Sequence, residues 1–311
     1  MIIVFSKDRA FQLEACLRTL LAQCGDAHDV PIRILWTSSS EDHRQAYAIL
    51  RKELTGYGTI EFVRESDFRR DLLEIIGDFA PGSWQGRIAH LLFEIGRVPA
   101  LRGLSEICLT PLLPGGPVMF VVDDTLFLRP FRFDPCARHL LASTEYLAFS
   151  LRLGQGVTRS YIGHCGQQVP PMTVVNDKLG IYQYRWPDSE IDFEYPLEVS
   201  SSVLNLRLIL ARLLRKKWKS PNSLELALAN MAGRYKRNHP LLLTFGEPRA
   251  VSAPLNVVQH DFKNPHGGQE RYHPDALCRL FLQGGRADLT RLDQIHTNAV
   301  HIEVDLLPSA Q

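Results

Sequence analysis

Met119-Phe120-Val121-Val122-Asp123-Asp124-Thr125-Leu126-Phe127 carries an apolar run up to two adjacent carboxylates and then returns to hydrophobic residues. A strand apolar on both faces belongs in the interior of a mostly parallel sheet. In open α/β sheets ligands bind beyond the carboxyl ends of the strands, so Asp123 and Asp124 are expected in such a crevice. Two like charges side by side repel unless a cation or hydrogen-bond donors neutralise them, and a hard divalent metal carrying a phosphorylated ligand is a natural third party. A strand followed by an Asp-containing turn or helix cap accounts for the same spacing without any ligand.

Upstream of this stretch, strand-helix units repeat. Ile2 to Ser6 is an apolar run ending in Ser-Lys-Asp-Arg, and Phe11 to Gln23 places Leu13, Cys16, Leu17, Leu20 and Leu21 at helical spacing. Ile32 to Trp36 and a helix from about Glu41 to Leu54 form the second unit, with Ser38 to Ser40 available for capping. Ile60 to Val63 and a helix from about Asp67 to Asp78 form the third. Short loops between alternating elements predict a parallel sheet with right-handed crossovers. After Pro81-Gly82-Ser83 a helical region of about Trp84 to Leu109 leads to the Asp-Asp strand, the fourth of the parallel set.

Downstream, Pro135 to Ser143 reads as a helix and Tyr146 to Arg152 as a strand. Residues 154 to 200 are rich in Gly, Pro, aromatic and acidic side chains, a composition suited to a substrate-facing surface. Val203 to Trp218 has a helical period, Leu224 to Tyr235 is a helix with Pro221 near its start, a further helix is expected around Pro274 to Gln283, and Ala299 to Val304 is the last expected strand. No composition shift marks a boundary. The expectation is one α/β domain with a mostly parallel central sheet flanked by helices: residues 1–150 form a nucleotide-binding half and residues 151–311 an irregular acceptor-binding half.

The chain has 311 residues, 45% of them hydrophobic, enough for a sizeable core. Its 35 Lys and Arg balance 34 Asp and Glu, so no global field points to nucleic acid. Six scattered cysteines with no C-x-x-C pair argue against a zinc ribbon or a disulfide framework and suit a reducing, cytoplasmic setting. The opening Ile2-Ile3-Val4-Phe5 lacks a basic leader, and no run reaches the roughly 18 apolar residues of a membrane span. Gly154 and Gly156 follow a strand, but Arg159 stands where a third glycine completes the dinucleotide fingerprint. Walker, zincin and nucleophile-elbow motifs are missing too.

On these features the chain resembles the nucleotide-sugar-dependent glycosyltransferases of the GT-A fold, family-2-like. The residues that carry the resemblance are the N-terminal strand ending in Phe5-Ser6-Lys7-Asp8-Arg9, the three strand-helix units, Val121 to Phe127 at the place of the D-x-D motif, and Pro221-Asn222-Ser223-Leu224-Glu225 at an acidic helix start. It implies a nucleoside-diphosphate sugar as donor, a glycan or lipid-linked glycan as acceptor, inversion at the anomeric carbon, and Mn²⁺ or Mg²⁺ as cofactor. Thr125 stands where the motif has its second acid, so the metal falls first to Asp124, with Asp123 as a second metal residue or directed to the ribose or the metal's waters. His260 completes the metal site, with His301 its competitor.

The resemblance makes Glu225 the first candidate for the base that deprotonates the acceptor; a plain helix-start acid explains the same residue. Asp192 is the second candidate, with Glu190 and Glu194 beside it among aromatics. Phe5, Ser6, Lys7, Arg9, Thr37, Ser38, Glu65 and Asp123 are the candidates for the nucleotide, with Arg9 suited to bidentate phosphate contact. The basic, leucine-rich segment Val203 to Lys219, with Trp218 at its end, suits peripheral contact with an anionic inner-membrane face, or else packs on the core with a solvated basic end. A sugar-nucleotide nucleotidyltransferase and a non-catalytic carbohydrate-binding protein are the competing readings.

Overall fold

The computed structural model describes residues 1–77, 115–256, 272–295 and 297–307, together with positions 88 and 91. The helix expected at 84–109 and His260 lie outside the described residues.

Strands β1 (Ile2–Lys7), β2 (Ile32–Thr37), β3 (Ile60–Arg64) and β4 (Pro117–Val122) form the first half of a nine-stranded sheet and are mutually parallel. Helices α1 (Ala10–Gln23), α2 (Glu41–Glu53) and α3 (Phe68–Ile76) follow the first three strands. Ser40 caps α2 by accepting from the His43 amide at 3.3 Å, and Asp67 caps α3 by accepting from the Arg70 amide at 2.8 Å. Beyond β4 come β5 (Thr125–Phe127), α4 (Phe133–Leu141), β6 (Tyr146–Ser150), the hairpin β7 (Arg159–Ser160) and β8 (Cys165–Gly166), β9 (Thr173–Asn176) and β10 (Ile181–Arg185). Then follow β11 (Val203–Asn205), α5 (Leu206–Leu213), α6 (Pro221–Ala232), β12 (Leu241–Phe245), β13 (Ala250–Ser252) and α7 (Pro274–Leu282).

The sheet order is β3-β2-β1-β4-β11-β6-β12-β10-β9, and only β11 and β10 run against the other strands. The result is an α/β fold with a mostly parallel sheet that continues unbroken across both halves of the chain. Alternation along the buried strands sends Ile2, Val4, Ile34, Met119 and Val121 into a core under α1, α2, α4 and α7. Ile3, Phe5, Leu35, Val118 and Phe120 enter the opposite core under α3, α5 and α6. Helices on both faces are why these strands read as continuous hydrophobic runs.

Two expectations fail locally. Val203–Asn205 is strand, because it fills the slot between β4 and β6, pairing with Met119 and Phe149 at once; the helix begins only at Leu206 and ends at Leu213. Ala299 to Val304 makes a single bridge, His301 with Ser252, in place of a strand. Of the two readings of the Val203 to Lys219 segment, the structure has the one packed on the core: Trp218 is buried, edge-on to Phe68 and under the Arg69 guanidinium. The apolar face of α5 likewise enters the core through Leu206, Ile209, Leu210 and Leu213. Among the described residues no helix is long and apolar enough to cross a membrane.

Candidate active site

The parallel strands β1 to β4 end together, and the loops that leave them line one cleft of about 1100 Å³. Its walls hold all eight residues expected around a nucleotide, Phe5, Ser6, Lys7, Arg9, Thr37, Ser38, Glu65 and Asp123. Asp124, Asp192, Glu225 and His301 line the same cleft.

Asp123 is buried and fully engaged. Its Oδ2 accepts from Ser6 Oγ at 2.8 Å and its Oδ1 from Arg9 Nη1 at 3.0 Å. Behind Ser6 runs a relay in which the Arg9 amide donates to the Tyr47 hydroxyl at 3.1 Å, and that hydroxyl lies 2.6 Å from Ser6 Oγ. Arg9 departs from the expectation. Its Nη1 also reaches Asp124 at 3.5 Å, and Nε donates to Asn256 Oδ1 at 2.9 Å, so the guanidinium is a clamp on the carboxylate pair and not a free phosphate fork. Charge explains the difference, because two neighbouring acids require a cation whether or not a ligand is present. Lys7, whose side chain is exposed, is left as the cation at the end of β1.

Asp124 is less well compensated. Burial raises its pKa, opposed by Arg9 and reinforced by Asp123. Thr125 cannot relieve it, since its buried hydroxyl donates to the Ser200 carbonyl at 3.1 Å. Among the described residues no three His, Cys, Asp or Glu side chains cluster as a complete cage. Mg²⁺ is commonly held by one or two carboxylates plus substrate phosphates, and an undercompensated carboxylate at a strand end fits that mode. Asp124 is the residue that would hold it, whereas Asp123, expected as a second ligand, is already occupied by Ser6 and Arg9.

The opposite wall is built around Glu225. Ser220 and Ser223 form a capping box and Pro221 takes the first helical position, so α6 begins with a fixed geometry and Glu225 falls on its second turn, past the first-turn acids that merely answer the helix dipole. Burial, then the neighbouring Glu198 carboxylate, push the Glu225 pKa up to about 7; Arg152 and a hydrogen bond from the Tyr195 hydroxyl oppose them. Arg152, just past β6, pairs with Glu198 at 3.0 Å and donates to Ser252 Oγ at 2.9 Å, both arginine and glutamate being buried. His301 Nε2 lies 3.5 Å from Arg152 Nη1, and burial together with that arginine drives the imidazole down to about 3, so it is neutral.

Asp192 faces the cleft from beside the β7–β8 hairpin. It accepts from Gln167 Nε2 at 2.9 Å and Ser160 Oγ at 3.4 Å, and burial raises its pKa. Glu190 and Glu194 lie outside the cleft lining, and Glu194 is held at 2.9 Å by Lys236. Sequence reading missed Tyr47, Arg152, Glu198 and Asn256. Arg152 follows a strand's carboxyl end and was accessible to the same rule that selected Asp123; Glu198 carries no such local signal.

No protein-family model matches the chain. The bifunctional glycosyltransferase pgtA of Dictyostelium discoideum is 22% identical over 216 residues, covering 65% of this chain and 23% of its own length. This chain therefore spans less than a quarter of that relative. Among solved structures, S. aureus TarS overlaps 78% of this chain and 34% of its own at 11% identity and a TM-score of 0.39. An active-site mutant of LgtC overlaps 95% of this chain and 100% of its own at 13% identity and a TM-score of 0.33. The chain is thus similar in sequence to part of a glycosyltransferase.

Proposed function

We propose that this chain is a glycosyltransferase that moves a sugar from a nucleoside-diphosphate donor to a hydroxyl acceptor with inversion. The observation that carries the proposal is that Glu225, with a pKa near 7, shares one cleft with the Asp123–Asp124 strand end.

The wall formed by Ser6, Lys7, Thr37, Ser38 and Glu65 suits a nucleoside diphosphate, with hydroxyl and carboxylate groups for base and ribose and Lys7 for phosphate. A divalent cation held by Asp124 would offset charge on the diphosphate as it departs. In the transfer step the acceptor hydroxyl forms a bond to the anomeric carbon while the bond from that carbon to the phosphate oxygen breaks. The electron pair leaves with the nucleoside diphosphate, and the hydroxyl proton passes to the Glu225 carboxylate. A base near neutrality suits that role, because it is ionised at working pH yet basic enough to accept a proton. Tyr195 orients Glu225, and Glu198 sustains its basicity by repulsion.

The test is a panel of nucleotide sugars with Mn²⁺, followed by melting temperature and by release of nucleoside diphosphate. At least one donor is expected to raise the melting temperature and to be consumed when acceptor is present, with inverted product anomer by NMR. Asp124→Asn is expected to fold normally and lose the metal-dependent part of the shift. No stabilisation by any donor, or release of inorganic pyrophosphate in place of nucleoside diphosphate, would overturn the reading.

A further inference from the structure

Arg9 is anchored at its backbone and at its charged end. Its amide donates to the Tyr47 hydroxyl at 3.1 Å, and its carbonyl accepts from the Leu13 amide at 2.8 Å in the first turn of α1. The guanidinium is held on two sides. Nη1 faces Asp123 at 3.0 Å and Asp124 at 3.5 Å, while Nε donates to Asn256 Oδ1 at 2.9 Å and Nη2 to the Asn256 carbonyl. Asn256 is buried and held in turn, its Nδ2 donating to the Tyr272 carbonyl at 2.6 Å. Swinging Arg9 aside would strand Asp123 and both Asn256 oxygens without their donors, so the charge stays where it is.

A divalent metal on Asp124 would have to share that carboxylate with a guanidinium already 3.5 Å away. Arginine does not give up its proton in a protein, so the repulsion persists at every working pH. At this strand end Arg9 answers one of the two acids, and Arg152, the next guanidinium along the cleft, is matched by Glu198. A bare metal ion therefore loses much of the attraction that an unpaired carboxylate couple would offer it. A metal carried by a diphosphate does not, because the phosphate oxygens complete its ligand shell and cancel its charge beside Arg9. Lys7, exposed on the same wall, is left to meet those phosphates.

We infer that Arg9 is a built-in cation that bars a bare divalent ion from the Asp123–Asp124 pair and admits it only together with a diphosphate, so that metal and donor enter as one complex. The inference rests on the proposed donor for its second half, whereas the bar itself is tested with metal alone.

Mn²⁺ binding to the full chain is measured by equilibrium dialysis, with folding checked by a cooperative melt. Arg9→Gln removes the charge and keeps a donor for Asp123 or Asn256; it is expected to bind Mn²⁺ alone more tightly than the wild type by about tenfold or more, the scale of a like charge withdrawn from a partly buried site. Arg9→Lys, which keeps the charge, should stay with the wild type, and adding Asp124→Asn to Arg9→Gln should remove the gain. In the wild type, one of ADP, CDP, GDP and UDP is expected to draw Mn²⁺ onto the protein. Equal Mn²⁺ affinity in wild type and Arg9→Gln, a gain shared by Arg9→Lys, or a gain that survives the loss of Asp124 would overturn the inference. Should Arg9→Gln fail to melt cooperatively, the wild type decides: Mn²⁺ held as tightly without a diphosphate as with one overturns it. Failure of all four diphosphates with the Arg9→Gln gain intact would overturn the donor reading and leave the bar standing.

Discussion

In the proposed transfer Glu225 is the base, and its neighbours determine how strong a base it is. Replacing it by glutamine keeps shape and removes the proton acceptor, so kcat is expected to fall by about 10²- to 10⁴-fold, the usual worth of general base catalysis. Donor-induced stabilisation should survive in Glu225→Gln, because the donor wall lies with Ser6, Lys7, Thr37 and Glu65. If steady-state rates in Glu225→Gln match those of the wild type, the base is elsewhere, and Asp192 is next in line. Tyr195→Phe makes a finer test. The Tyr195 hydrogen bond holds the Glu225 pKa down, so its loss should move the acidic limb of the kcat profile to higher pH. A limb that stays in place would remove Tyr195 from the base's environment. Thr125 settles the other end of the cleft by similar reasoning: its hydroxyl is spent on Ser200, which leaves Asp124 as the undercompensated acid.

Three elements far apart in sequence are fastened by one buried ion pair: the end of β6 through Arg152, the buried segment before β11 through Glu198, and β13 through Ser252. Breaking one partner of such a pair leaves an uncompensated buried charge and costs about 3–5 kcal/mol, so Arg152→Met should lower the urea midpoint strongly. Arg152→Met combined with Glu198→Leu should recover most of that loss, and a double mutant no more stable than the single would show that the clasp is not the source. This clasp also marks where sequence reading stops. Strands β1, β2 and β4 were legible as apolar runs in the sheet interior, and helices α2 and α3 as capped helical periods. Helix α1 was legible from its apolar period alone, without a side-chain cap, and β3, a half-exposed edge strand, from Ile60, Phe62 and Val63 between two helical units. Asp123 and Asp124 were legible from the end of the β4 run that they follow, whereas Glu225 was legible only through the family resemblance. Val203–Asn205 was not, because leucines continue smoothly into α5 and only the open slot between β4 and β6 makes those residues strand. Arg152 and Glu198 meet across a long stretch of irregular chain, and no periodicity encodes that contact. Trp218 reads as interfacial beside basic residues, yet Phe68 and Arg69, brought in from α3, bury it.

At the scale of the whole molecule, the acids gathered in one cleft set stability and activity against each other. The folded Glu225 pKa near 7 lies above the ordinary value of 4.5, so between those two pH values the folded chain binds more protons than the unfolded chain. Stability then declines as pH rises through that window, the opposite of the behaviour of a salt-bridged carboxylate. Asp124 adds to the slope, its pKa being raised by burial and by Asp123. The proposed transfer requires the ionised Glu225, so its rate is expected to climb as pH rises through about 7, where the stability contributed by protonation of that group has been lost. Glu225→Gln isolates the effect. Near pH 4 both chains carry a neutral group at this position and should be equally stable, whereas at pH 8 the glutamine variant should be more stable by on the order of 2 kcal/mol. Urea midpoints at the two pH values measure this directly. A stability difference that does not change with pH would mean that Glu225 titrates as an ordinary surface acid, and would remove the main support for its role as the base.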